Sequence, residues 1–338
     1  LRSNLSYSPL AALELYVNRI KSLVNSSLLK FKRCVYSLQE LKNIKSHLYS
    51  KYAEMSTSLK SNLTAIGISQ KNNAVVVYLA DCSQSRIKEF KNFYDNPAVV
   101  FTNMGKINTD NTCLSTQLVN TRSYTTLATI SKFPIGAGDT CLISMSDDKP
   151  IYGTFAFRAQ ETSGQKRCGL VTAGHVVSVG QYCYDKDFNP FGICSSRIVS
   201  TGNAEASFIP CGYLDEFNIN NYIGGSSSSV LSTTTNKPGE GTYVNKYGAT
   251  TKRTGGYIQD IDCTVLSGDK TATFSDMTLV KCTADGGDSG GIVYTYISKY
   301  NTRLTVGVVY GYPEKMGKNY LIYSKADNVL KALNLKRY

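Results

Sequence analysis

The chain has 338 residues, which is longer than one ordinary single-core domain and fits two at roughly 150 residues each. Hydrophobic residues make up 42% of it and charged residues 18%, which excludes a disordered chain. No apolar run approaches the roughly 20 residues that span a bilayer, so we expect no integral membrane protein and no membrane partner. The net charge of +12 is concentrated in residues 1–132, without a compact basic block or zinc-ligand spacing, so we expect no nucleic-acid partner.

Ten cysteines, no Cys-x-x-Cys pair and only two histidines argue against a zinc module and favour disulfides. Disulfides indicate an oxidising compartment, and Asn-x-Ser/Thr acceptors at Asn4, Asn25 and Asn62 agree with a secretory route. The sequence begins at Leu1 without Met or an apolar signal core. We therefore expect a secreted, extracellular protein whose signal sequence was removed.

The first third of the chain predicts helices and then a small mixed unit. Apolar residues at three- and four-residue intervals predict a hairpin of two helices between residues 8 and 59. A strand over 74–79, a helix over 83–93 and a strand over 98–101 follow. Residues 102–132 are polar and irregular, which is typical of a linker.

Beyond residue 135, short strands separated by turns predict an all-β sandwich or barrel. A helix is expected over 324–333, and the run from Gly224 to Ser229 is expected to be a flexible surface loop. The predicted strands cover residues 151–157, 169–172, 181–184, 207–209, 242–246, 256–261, 277–281, 291–297 and 304–309.

Two short motifs carry the chemistry, Thr172-Ala-Gly-His175 and Gly286-Gly-Asp-Ser-Gly-Gly291. A serine hydroxyl is a weak nucleophile unless a base takes its proton, and flanking glycines leave room for substrate and for convergent backbone N–H groups. His175 is the only histidine after residue 47, so it is the only imidazole of the β-rich region available to Ser289.

The order of the two motifs selects between hydrolase architectures. Gly287-x-Ser289-x-Gly291 formally fits the nucleophile elbow of an α/β-hydrolase, but that fold needs a histidine after the serine and none follows. The order His175 then Ser289, among short strands, is instead that of chymotrypsin-type enzymes.

On these motifs the chain resembles the trypsin-like (chymotrypsin-fold) serine endopeptidases, and more narrowly the bacterial-type branch of α-lytic protease and the streptogrisins. The resemblance covers residues 135–338 and implies a double β-barrel with the active site in the cleft between barrels. It implies Ser289 as nucleophile, His175 as general acid/base, and the N–H groups of Gly287 and Ser289 as oxyanion hole, with neither metal nor cofactor.

The same resemblance implies an acid before a short apolar strand midway between the motifs. Glu205, where the family has Asp, stands in that place, and it is expected to orient His175. Asp215 and Asp187 are the alternatives.

Lys246 stands where members of this branch place the base that pairs with the aspartate before the serine. The resemblance therefore implies a buried Asp288–Lys246 ion pair that supports the oxyanion loop.

The resemblance also implies a primary substrate pocket lined by Thr283, Val309, Tyr310 and Tyr312. Asp285 lies close to the position that makes trypsin select basic residues. Among the cysteines of the β region, Cys282 resembles a family cysteine, and Cys263 is its suggested partner.

The segment around 68–77, with the helix and strand after it, is similar to the pro-regions of the same enzymes, which implies an intramolecular foldase and inhibitor; a permanent accessory domain is the alternative. Cleavage is expected within residues 102–135, after Arg122 or Lys132. The expected organisation is a helical part over 1–65, a strand–helix–strand pro-domain over 66–101, a linker with the activation cleavage over 102–134 and the protease domain over 135–338.

These predictions describe a secreted serine endopeptidase made as a zymogen, acting on protein or peptide substrates through an acyl-enzyme. The alternative is a catalytically inactive homologue that binds partners through the same fold, because Glu205 departs from the family pattern.

Overall fold

The structure, a computed structural model, describes residues 9–24, 31, 33–109, 134–146, 149–211 and 219–338. Two compact units are present, residues 1–37 and residues 38–338. The first contains helix α1, Pro9–Val24. All other elements belong to the second unit.

The helices of the second unit agree with the periodicity of the sequence. They are α2 (Leu38–Ser50), α3 (Thr57–Asn62), α4 (Gln84–Phe93) and α5 (Ala326–Ala332), with short 3-10 helices at Lys51–Glu54 and Ser298–Tyr300. Helices thus occupy both halves of the segment predicted as a hairpin, and the hairpin itself stays a prediction. None of the helices in the described ranges is long and apolar enough to cross a bilayer.

The segment before residue 110 contributes four strands: β1 (Leu63–Ser69), β2 (Ala74–Leu79), β3 (Val99–Asn103) and β4 (Ile107–Asn108). The strand–helix–strand order β2–α4–β3 is confirmed, and β2 and β3 pair in parallel across the helix. The sequence did not predict β1, which pairs with β2 on one side and with a protease-region strand on the other. Nor did it predict β4, which lies within the expected linker.

Residues 135–338 form the β-rich part, and its strands follow the predicted order. They are β5 (Ile135–Ala137), β6 (Thr140–Ser146), β7 (Lys149–Thr154), β8 (Phe157–Glu161), β9 (Cys168–Thr172), β10 (Tyr182–Tyr184), β11 (Pro190–Ile193), β12 (Ser196–Ile198), β13 (Ala206–Pro210), β14 (Ile219–Ile223), β15 (Ser226–Thr235), β16 (Tyr243–Gly248), β17 (Lys252–Leu266), β18 (Thr273–Lys281), β19 (Ile292–Ile297), β20 (Thr302–Pro313), β21 (Leu321–Lys325) and β22 (Leu335–Arg337).

One local prediction is wrong. The serine run expected to be a loop begins β15, which pairs with β14 and, in parallel, with β20. Backbone pairing with two neighbours compensates for side chains that have little strand preference.

Each half of the β-rich part has an apolar cluster of its own, which agrees with the double-barrel fold class, and a further cluster joins the two halves. Strands β6 to β13 surround a cluster that includes Phe155, Leu170 and Phe191, and strands β16 to β21 surround a cluster that includes Ile258 and Tyr323. Complete burial of one such side chain stabilises the fold by about 1.5–3 kcal/mol. The site described below lies where the end of β9 meets the loop before β19.

The hairpin of β1 and β2 extends the sheet of the second barrel, because β1 pairs antiparallel with β17. Polar contacts reinforce this seam: the Glu240 carboxylate accepts the N–H groups of Gln70 and Lys71 at 2.5 and 2.8 Å, and Lys45 pairs with Asp262 at 2.9 Å. The segment 38–109 is therefore bound to the protease region through both backbone and side chains.

The side chain of Asn62, one of the three expected glycan acceptors, is committed within the fold. Its amide donates to the Asp81 carbonyl at 3.0 Å and accepts the Asp81 N–H at 2.8 Å, and the residue is buried. In the folded chain the Asn62 side chain is therefore not accessible for glycosylation. Asn4 and Asn25 lie outside the described residues.

Eight of the nine described cysteines, all except Cys34, are free thiols. The suggested Cys263–Cys282 pair is wrong, because Cys263 lies opposite Met277 while Lys281 lies opposite Tyr257. Cys282 is thus five residues further along β18, about 16 Å at the rise of a strand, which is beyond disulfide reach.

The seam predicts a pH-dependent stability through Asp260, which is buried and accepts a hydrogen bond from the Tyr78 hydroxyl. Burial raises the pKa of Asp260 to about 6, above the unfolded value of about 3.9. The folded state therefore holds this proton more tightly, and stability falls as pH rises from about 4 to 6. We expect Asp260→Asn to melt near the wild type at pH 4 and clearly above it at pH 7.5.

Asp269 provides the matched control, because hydrogen bonds from Ser267 and Thr271 lower its pKa to about 2. Asp269→Asn is expected to have the opposite sign, with a melting temperature below the wild type at pH 7.5. An equal difference in melting temperature between Asp260→Asn and the wild type at pH 4 and at pH 7.5 would contradict a role for the Asp260 proton.

Candidate active site

His175 follows β9 and faces a buried carboxylate. Glu205 is 1% exposed and precedes β13, and its Oε1 accepts the backbone N–H of His175 and lies 3.0 Å from the ring Nδ1. An ionised carboxylate only accepts, so Nδ1 must carry the proton, and Nε2 is the acceptor of the neutral ring. The predicted neighbour of His175 is thus in contact with it.

Gly174 is what lets the carboxylate come so close. A Cβ on this residue would lie 2.4 Å from the Ile198 carbonyl and 2.8 Å from Glu205 Oε1. On the other side, the N–H of Glu205 donates to Ser324 Oγ at 3.0 Å. Of the alternative acids, Asp187 pairs with Lys186 on the surface, and Asp215 lies outside the described residues.

Ser289 lies in a tight loop whose two flanking glycines have left-handed backbones. Gly287 has φ of +86° and Gly290 has φ of +85°, and the N–H of Gly291 donates to the Asp288 carbonyl at 2.8 Å. A Cβ on Gly290 would lie 2.1 Å from Thr172 Oγ1. The serine loop therefore packs directly against the end of the strand that leads to His175.

Tyr310 on β20 links the histidine and the serine. The rings of Tyr310 and His175 meet edge to face with centroids 5.7 Å apart, and the Tyr310 carbonyl accepts the Ser289 hydroxyl at 3.4 Å. The structure thus brings His175 and Ser289 against the same residue.

The backbone N–H groups of Gly287 and Ser289 are the predicted oxyanion hole. Neither N–H group has a hydrogen-bond acceptor among the described residues. Their carbonyls are occupied by Thr154, whose hydroxyl donates to Gly287 at 2.7 Å and whose N–H donates to Ser289 at 2.8 Å. The sequence analysis missed Thr154. Paired N–H groups without an acceptor suit an incoming anionic oxygen.

Lys246 and Asp288 form an ion pair at 2.8 Å, and both side chains are 0% exposed. The carboxylate also accepts the N–H groups of Thr250 and Thr251 at 3.0 Å each and the Thr251 hydroxyl at 2.6 Å. The ammonium donates further to Thr251 and to the Lys252 carbonyl. Such complete hydrogen bonding is what a buried ion pair requires. These extra donors lie in the turn between β16 and β17, and the sequence analysis did not predict them.

The four residues predicted to line the substrate pocket differ in their exposure to solvent. Thr283 is exposed, with its hydroxyl 3.4 Å from Asn319, whereas Val309 and Tyr310 are buried and Tyr312 is partly buried. Asp285 pairs with Lys318 at 2.5 Å, so it is not a lone acid. The described residues contain no group of three or more His, Cys, Asp or Glu side chains that could hold a metal ion.

Residues 39–104 match a family model described as Pro-like C-terminal domain. No curated protein matches the chain. The family match, together with the double-barrel fold, confirms the predicted resemblance to bacterial chymotrypsin-type proteases with a pro-region.

Several solved structures are similar to the chain. Nocardiopsis protease (NAPase) is 23% identical over 60% of this chain and 98% of its own, with a TM-score of 0.48. Thermobifida fusca protease A is 21% identical over 60% and 98%, with a TM-score of 0.47. Cellulomonas bogoriensis chymotrypsin is 18% identical over 61% and 99%, with a TM-score of 0.47.

The ion pair generates a prediction about stability. Lys246→Met leaves Asp288 buried without its counter-ion, and breaking a buried pair in this way costs about 3–5 kcal/mol. We expect urea unfolding of Lys246→Met to show a loss of that size.

The matched control is Lys186→Met, which breaks an exposed pair with Asp187. Exposed pairs contribute about 0–1 kcal/mol, so this variant should unfold close to the wild type. Equal losses of unfolding free energy in the two variants would show that the burial of Lys246 does not increase the cost of breaking its ion pair.

Proposed function

We propose that the chain is a secreted serine endopeptidase made as a zymogen, with His175, Glu205 and Ser289 as its triad. The observation that carries the proposal is the contact between the buried Glu205 carboxylate and Nδ1 of His175. Tyr310 in turn contacts both His175 and Ser289. The comparisons support a protease fold with a pro-like segment.

The reaction follows from these positions. The Ser289 hydroxyl turns from the Tyr310 carbonyl toward the imidazole and attacks the substrate carbonyl carbon while Nε2 of His175 takes its proton. Glu205 stabilises the imidazolium through Nδ1–H. The imidazolium then protonates the leaving amine, and water hydrolyses the acyl-enzyme with His175 as base.

The negative oxygen of each tetrahedral intermediate would bind the N–H groups of Gly287 and Ser289. Loss of one such donor raises the barrier by about 3–4 kcal/mol. The Lys246–Asp288 pair would hold this loop in shape without help from a newly formed amino terminus, because both charges come from within the protease region.

The zymogen part of the proposal is supported by β4. This strand pairs antiparallel with the end of β20, Asn108 with Tyr312 and Ile107 with Pro313. A Cβ on Gly311 would lie 2.3 Å from the Asn108 carbonyl. The segment thus lies on the strand that carries the pocket candidates Tyr310 and Tyr312, where a peptide substrate would add its own strand.

Activation would therefore require a cut after β4, within the proposed linker 102–134, to separate the pro-region from a protease domain of residues 135–338. The candidate sites at Arg122 and Lys132 lie outside the described residues. Secretion and disulfides belong to the same proposal; Cys168 and Cys211 are adjacent on neighbouring strands, with a 2.9 Å backbone hydrogen bond between them.

A fluorophosphonate probe tests the nucleophile. The processed protein should be labelled stoichiometrically at Ser289, and Ser289→Ala should abolish both labelling and peptide hydrolysis. An exposed serine outside the site provides the control: Ser298→Ala leaves the hydroxyl of Ser289 in place and should still be labelled. A processed chain that binds the probe nowhere would instead be the inactive homologue that acts as a binding protein.

N-terminal sequencing tests the zymogen. The active form is expected to begin within residues 103–135, and the uncut chain should hydrolyse peptides at least tenfold more slowly because β4 covers the cleft. Asn108→Pro, which removes a backbone N–H from β4, should raise the activity of the uncut chain. An active form that begins before residue 100 would contradict the proposed boundary.

A further inference from the structure

Tyr310 occupies a β-bulge in the middle of β20. On the neighbouring strand β21, Tyr323 pairs with Val309 and the next residue, Ile322, pairs with Gly311, so Tyr310 is the extra residue of β20. A bulge changes the direction of the side chain it contains, and bulges are common beside active sites. Tyr310 is turned into the protein and is 3% exposed.

The ring of Tyr310 contacts two other rings. Its centroid lies 5.5 Å from that of Phe274 and 5.7 Å from that of His175, with an interplanar angle of 87° to the imidazole. Phe274 itself is 2% exposed. The tyrosine ring therefore packs against both a buried aromatic ring and the imidazole.

The backbone of Tyr310 contacts the serine, since its carbonyl accepts the Ser289 hydroxyl at 3.4 Å. The same residue therefore contacts the hydroxyl through its carbonyl and the imidazole through its ring. Val309, next to it, receives the N–H of Gly290 at 2.8 Å and donates to Gly291 at 2.9 Å, which locks β20 to the serine loop.

The Tyr310 side chain also lies near the charge of Glu205. Burial, and then the negative charges of Glu205 and Asp269, raise the pKa of Tyr310, so the phenol remains neutral. Within the described residues, the buried Oε2 of Glu205 has no hydrogen-bond partner, and the carboxylate contacts the imidazole through Oε1. A contact through one oxygen fixes the orientation of the imidazole less strictly than a contact through two, so a ring packed against the imidazole adds a restraint.

We propose that Tyr310 is a positioning residue whose ring keeps the His175 imidazole seated on Glu205 Oε1. This inference rests on the proposed function for its kinetic consequences, but not for the contact itself. The sequence analysis predicted that Tyr310 lines the substrate pocket, and the positioning role is an alternative to that prediction for its side chain.

Kinetics on the full chain after processing provide the first test. Tyr310→Leu removes the ring and should lower kcat at least about tenfold, as expected for a misplaced general base, with KM within twofold. Tyr310→Phe keeps the ring and should stay within threefold of the wild type. Tyr296→Leu, which removes an exposed tyrosine of β19, is the control and should change neither constant.

A second readout needs no activity. The chain has two histidines, so the Nδ1–H proton of His175 is assignable by NMR with His47→Gln as reference. In the Ser289→Ala background, Tyr310→Leu should speed the exchange of this proton with water at least tenfold, and Tyr310→Phe should not. Should Tyr310→Leu fail to fold, Phe274→Leu removes the backing of the ring and should change exchange and kcat in the same direction.

The outcomes separate the two proposals. A rise in KM at unchanged kcat, with the exchange of the His175 proton unaltered, would overturn the positioning role and return Tyr310 to the substrate pocket. Faster exchange in a chain that hydrolyses no peptide and binds no fluorophosphonate would sustain the positioning role while the proposed function fails.

Discussion

The buried ion pair of Lys246 and Asp288 is the constraint on which the rest of the site depends. Neither charge reaches water, so each must stay within hydrogen-bond distance of its partners or the fold carries an uncompensated charge. Asp288 lies between the two residues whose N–H groups lack acceptors among the described residues. Its fixed position therefore fixes the serine loop, through a lysine from β16 and a turn at Thr250 and Thr251.

The segment before residue 110 forms backbone hydrogen bonds with the strands around this site at two places. Strand β1 extends the sheet at β17, which is the neighbour of the strand that carries Lys246, and β4 covers the end of β20, which carries Tyr310. Contacts through main-chain groups depend little on which side chains are present. Under the proposed function, a segment bound in this way would template the second barrel and cover its cleft until a cut between β4 and β5 releases it.

What could be predicted from the sequence is what local chemistry determines. His175, Ser289 and the two glycines around it form compact motifs, and the order of the motifs indicates the fold; Glu205 and Lys246 followed from resemblance, and both are in the contacts predicted. Pairing partners were out of reach. Strand β15 begins with four serines that show no strand periodicity, and it forms because β14 and β20 flank it. The inward turn of Tyr310 arises from a bulge, which depends on register with β21 and leaves no mark in the sequence around it.

The longer acid at position 205 shows how one substitution is absorbed by its surroundings. Glutamate has one more methylene than aspartate, and the Glu205 carboxylate would meet a side chain at residue 174 if there were one. Glycine there leaves the space, and Ser324 holds the Glu205 backbone from behind. The result is a carboxylate that meets both the main chain and the ring of His175 through one oxygen, with the second oxygen unbonded among described residues. A single-oxygen contact orients the ring less strictly than a two-oxygen contact, because the carboxylate can pivot about it. In the proposed positioning role, the Tyr310 ring, packed edge to face with the imidazole, supplies a further restraint.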